Sequence, residues 1–210
     1  MDTKQLDRAF VSTRAIVAMV RPDQLAAPTP CVSWDVRALI NHFTGSARWA
    51  AATVAGGSDE SSEDYAAGDF LASYDESIRL ALEAFGADGA LERTVSLPWG
   101  ESSGAELMEL CAREQFIHGW DLAHAAGLPV DLDPELAAEL LVGAPSAIRD
   151  EFRGPEGTAF FGPAVAAPAG SGPADQLAAF LGRPIPGHSV AGHSVAGHSV
   201  AGHSVTGQTM

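Results

Sequence analysis

The chain has 210 residues, 46% of them hydrophobic, which suits one domain with a tail or at most two small domains. A formal charge of −15, spread along the chain, repels phosphate backbones and anionic lipid surfaces, so neither nucleic-acid nor membrane-surface binding is expected. Cys31 and Cys111 form no C-x-x-C pair, no run approaches the ~18 apolar residues of a bilayer span, and MDTKQLDRAF lacks the pattern of a signal peptide, so a soluble cytoplasmic protein is expected.

Leu6, Phe10, Ile16, Val17 and Val20 recur at helical spacing and predict a first helix over 4–20, stopped by Pro22. The segment 22–31 holds three prolines and reads as a loop. Ser33 is the expected N-cap of a second helix over 34–54, which Gly56-Gly57 ends. Residues 57–66 are acidic and small, hence exposed. A third helix over 67–85 carries Phe70, Leu71, Tyr74, Ile78, Leu82 and Phe85. The segment 91–99 is β-like, a connecting strand or an extended loop.

Ser103 with Glu106 has capping-box spacing and starts a fourth helix, which ends at Gly127 and Pro129. Asp133-Pro134 starts a fifth. Residues 154–173, rich in Gly, Pro and Ala, read as irregular, and 174–181 as a last short helix. The result is an all-α fold: a helical bundle with extra short helices and an irregular C-terminal stretch, spanning 1–183. From 187 the unit GHSVA recurs at 192 and 197, with GHSVT at 202. A period of five matches no helix and buries little, so 184–210 is expected to be a disordered tail. Its histidines could hold metal loosely.

The fourth helix carries the chemistry. Its apolar stripe runs through Leu107, Leu110, Cys111, Ile117, Leu122 and Ala125, with Glu114, His118 and Asp121 in the middle and Phe116 and Trp120 on the other side. A buried carboxylate needs compensation. A metal ion supplies it, and Glu-x-x-x-His sets both side chains one turn apart on one face. The alternative is a neutral Glu114–His118 hydrogen bond sealed in the core. His42 flanks the apolar stripe of the second helix (Val36, Leu39, Ile40, Phe43, Ala47). By itself it reads as structural. Together, His42, Glu114 and His118 make a three-ligand set with one position left for water or substrate. Such donors suit zinc, and also nickel or iron.

The segment TPCVSWDVRALINHFTG (29–45) resembles the T-P-C-x-x-W-D-V-x-x-L-x-x-H-x-x-G signature of actinobacterial proteins related to the mycothiol-dependent maleylpyruvate isomerase. EQFIHGWDLAHAAG (114–127) resembles that family's E-x-x-x-H-x-W-D-L-A segment, and 160–183 its closing stretch. The resemblance covers 3–183. It implies a DinB/YfiT-like four-helix bundle and a divalent metal, usually zinc, on His42, Glu114 and His118. It also implies a mycothiol-like thiol as co-substrate, whose thiolate adds to an electrophilic small molecule in an isomerisation or S-transfer. A non-catalytic metal- or ligand-binding bundle stands beside that reading. Bundles of this kind often form homodimers, although no decisive patch marks one.

Other residues have two readings each. Asp121 either orients a ligand imidazole or is a helix-end carboxylate bonded to backbone or arginine. Asp35 is expected to make a structural bond at the helix start. Cys31 reads as a small buried residue rather than a reactive thiol, and Cys111 as core. Trp34, Trp49, Trp99 and Trp120 read as packing, with Trp120 the one that would line a pocket mouth. His124 sits at a helix end.

Overall fold

The computed structural model describes residues 3–58, 63–155 and 159–185. The fold is mainly α: α1 Lys4–Val17, α2 Val36–Val54, α3 Phe70–Gly86, α4 Gly104–Ala126, α5 Pro134–Ala147 and α6 Pro173–Phe180. A hairpin, β1 Thr94–Leu97 and β2 Gly100–Ser103, pairs antiparallel with Val95 opposite Ser102. The expected tail at 184–210 lies, apart from residues 184 and 185, outside the described residues. Among the described residues no helix is long and apolar enough to cross a membrane.

The helix starts follow from local chemistry. Asp69 and Asp133 accept from the backbone N–H three residues on and cap α3 and α5. Ser103 and Glu106 form the predicted capping box of α4, which ends on Gly127 at φ 68°, a left-handed position that suits glycine. Three boundaries differ from expectation. Asp35, not Ser33, caps the second helix, accepting from Ala38 N at 2.8 Å, so α2 starts at Val36. The first helix stops at Val17, with Val20 buried in the turn beyond it. The third begins at Phe70 rather than 67. The β-like segment acquires a partner, the polar GESS of β2.

α4 packs on α1 and α2, and α2 packs on α3. α4 is therefore enclosed. Phe116 and Trp120, expected on its far side, are 0% exposed, as is Leu122. Its buried polar residues, Arg113, Gln115, His118 and Asp121, owe their burial to position in the molecule and not to a one-sided stripe. Gln115 ties the enclosure together. Its Nε2 donates to Phe43 O at 2.9 Å and its Oε1 accepts from Tyr74 OH at 2.8 Å. Its carbonyl accepts from Thr13 Oγ1 at 2.7 Å. One residue thus binds α4 to α1, α2 and α3. Next to it in space, a Cβ on Gly119 would lie 2.3 Å from Thr13 Oγ1, so glycine there sets the α1–α4 approach.

Candidate metal centre

α2 supplies His42 and α4 supplies Glu114 and His118, one turn apart, so that three donor atoms converge. Glu114 Oε2 lies 3.4 Å from His42 Nε2 and 3.3 Å from His118 Nε2. The two rings stand edge to face with centroids 4.8 Å apart. His118 is buried at 5% side-chain exposure, while His42 and Glu114 are partly open at 34% and 23%. The sequence-predicted trio is thereby brought together.

The spacing bears on what the trio can hold. Ideal N–H···O bonds cluster near ~2.9–3.0 Å. The carboxylate oxygen instead stands between two imidazole nitrogens and bonds neither closely. Around a tetrahedral zinc with ~2.0–2.1 Å bonds, adjacent donors stand ~3.3–3.4 Å apart. The donor set and its two separations from Glu114 Oε2 fit a divalent cation, with all three donors within 4.8 Å of one another.

Asp121 meets both His118 and an arginine. It is 0% exposed; its Oδ2 lies 3.0 Å from His118 Nδ1 and also accepts from Arg183 Nη2 at 3.1 Å. The Asp121 contact on Nδ1 fixes the ring so that His118 Nε2 faces Glu114. Burial would push the Asp121 carboxyl up, but Arg183 and His118 outweigh it and hold it at about 2. Burial likewise opposes ionisation of Glu114, yet bonds from His118 and His42 place it well below the usual carboxylate range. Burial would lower the His118 pKa, but Asp121, Cys31 and Glu114 raise it well above the ordinary imidazole value.

Cys31 corrects an expectation. It is half-exposed, and its thiol donates to Asp121 Oδ2 at 3.4 Å, with Arg183 Nη2 3.8 Å from the sulfur. With His118 and Asp121 it makes a second trio whose donor atoms lie within 4.8 Å of one another. The local cause is Thr29, whose hydroxyl spans the carbonyls of Cys31 and Trp34 and folds the TPC turn over α4. The same turn lays Trp34 on His42 at 4.3 Å between centroids, so Trp34 is a wall of the site and not remote packing. Trp120, by contrast, is sealed and donates to Asp175 Oδ1 at 2.9 Å, away from any mouth. Arg183 was not singled out by spacing; its only signal was its place at the end of the closing stretch. Cys111 is core as expected, and burial, then the charge of Glu114, pushes its thiol pKa up.

A cavity of about 440 Å³ opens beside His42 and Glu114, walled by Trp49, Tyr65, Trp99, Leu107, Leu110 and Phe160. It gives a small molecule access to the open side of the trio.

The family model described as "Mycothiol maleylpyruvate isomerase N-terminal domain" matches residues 6–123, a span containing His42, Glu114, His118 and Asp121. Uncharacterized proteins from two strains of Mycobacterium tuberculosis are each 40% identical over 183 residues, covering 85% of this chain and 95% of the relative. No solved structure is a significant match.

Proposed function

The chain belongs to the family of the mycothiol maleylpyruvate isomerase N-terminal domain, and from that premise we propose a divalent-metal-binding protein that uses a mycothiol-type thiol in a transfer or isomerisation reaction. In this reading α1–α4 are a DinB-like bundle. His42 Nε2, Glu114 Oε2 and His118 Nε2 hold one ion, zinc by donor preference, with nickel or iron as competitors. The folded unit reaches residue 183, because Arg183 bonds Asp121 inside the site.

The observation that carries the reading is the single Glu114 oxygen shared at 3.3 and 3.4 Å between two imidazoles, one of which is oriented by Asp121. A bound metal would lower the pKa of a thiol coordinated to it and so provide a thiolate nucleophile at neutral pH. The chain's own residues do the rest. Asp121 fixes the ring orientation of His118, and Arg183 keeps Asp121 ionised. Trp34 covers one face of His42 and restrains its ring. The apolar cavity beside the trio orients the electrophile and limits water at the reacting atoms.

The test is the absorption spectrum of the cobalt-substituted protein titrated with mycothiol. A new sulfur-to-metal charge-transfer band is expected. An unchanged spectrum favours a non-catalytic metal- or ligand-binding bundle.

A further inference from the structure

A second cavity of about 460 Å³ lies between the hairpin, α4 and the end of α5, and Arg113 lines it. Arg113 is only 7% exposed, and its Nε has no hydrogen-bond partner. Among the described residues it forms no ion pair within 4.0 Å. A desolvated guanidinium without a partner is a cost that the fold does not recover internally. Part of the wall is apolar, with the flat rings of Trp99, Phe152 and Phe160 beside Leu97, Leu110 and Ile148.

We infer that this cavity binds a small carboxylate with a flat apolar body, its carboxylate held by the Arg113 guanidinium. Planar, forked donors match a carboxylate's two oxygens. The other charges of the cavity do not supply that partner. Glu101 and Glu106 are exposed, and Glu106 accepts from Ser102 and Ser103. Arg149 is exposed and paired with Glu151 at 2.7 Å. Glu109 is half-buried, lines the cavity and competes with an incoming anion. Trp99, Leu110 and Phe160 line both this cavity and the one beside His42. A molecule anchored on Arg113 therefore extends over Leu110 toward Glu114. Its role as the anchor of the electrophile rests on the thiol-transfer reading; the carboxylate site itself does not.

The experiment titrates the purified full-length protein with benzoate and with benzamide, its uncharged analogue, by calorimetry and tryptophan fluorescence. Benzoate is expected to saturate, and benzamide to bind at least tenfold more weakly. Arg113→Met should lose benzoate affinity at least tenfold while Tm holds or rises, because it removes an unpaired buried charge. Glu109→Gln should tighten benzoate severalfold, and decides the matter if Arg113→Met does not fold. His42→Ala should leave benzoate affinity within twofold. The inference is overturned by absent benzoate saturation, by equal benzamide binding, by an unaffected Arg113→Met, by a Glu109→Gln that does not tighten, or by loss of binding in His42→Ala, which would place the carboxylate on the metal. Zinc content measured on the same samples separates failure of the metal reading from failure of this one.

Discussion

Asp121 has no exposed surface, yet it is ionised, and the protonation of the site turns on it. With the metal absent, His118 has a pKa raised above its unfolded value. The stability this contributes is complete below ~6.5 and is lost as pH rises through the folded pKa. Glu114 and Asp121 are depressed, so theirs is present above ~4 and lost as pH falls through the folded values. A metal must displace the His118 proton. Uptake at pH 7 is therefore expected to release about one proton per ion, measured by calorimetry in buffers of different ionisation heat. No release would mean that His118 is neutral beforehand. Asp121→Asn removes the charge that orients His118 and should weaken metal affinity by ~10–100-fold in chelator competition; an unchanged affinity would remove Asp121 from that role.

At the scale of elements, the site's rigidity comes from the residue beside Glu114. Gln115→Leu strips Tyr74 OH and Phe43 O of their buried partner on α4. It should cost about 2–4 kcal/mol in urea unfolding, with metal content retained in the folded fraction. Gly119→Ala pushes α4 off Thr13 and should destabilise by about 1–3 kcal/mol; a neutral result would show that Thr13 rotates away freely. Helix caps were the most legible part of the sequence. The Ser103–Glu106 box and Asp133-Pro134 each name their own hydrogen-bond partner within three residues. Ser33 misled because two residues two positions apart, Ser33 and Asp35, both qualify as caps. The Thr29 turn, with Val36 N donating to Ala27 O, decides in favour of Asp35. β2 was missed because GESS carries no apolar alternation; its pairing is set by the turn at Pro98-Trp99.

For the whole molecule, the trio was legible because two of its members share one helix turn and the third lies in a long motif. The residues around it were not. Cys31 and Trp34 reach Asp121 and His42 through a loop, and Arg183 reaches Asp121 across 62 positions of chain. No local period encodes such contacts. Arg113 escaped for another reason: it only flanks the apolar stripe of α4, and its burial comes from the enclosure of that helix. That enclosure also makes the chain end consequential. A chain ending before Arg183 should lose affinity for the metal, whereas one ending after Ile185 should keep it.

The central claim is that His42, Glu114 and His118 hold one divalent ion. Its most direct measurement is the metal content, by mass spectrometry, of the chain ending after Ile185, free of the tail histidines, beside its His42→Ala and His118→Ala variants. One equivalent per chain, falling to a small fraction in both folded variants, is the predicted result. A metal-free protein, or variants with unchanged content, would contradict it.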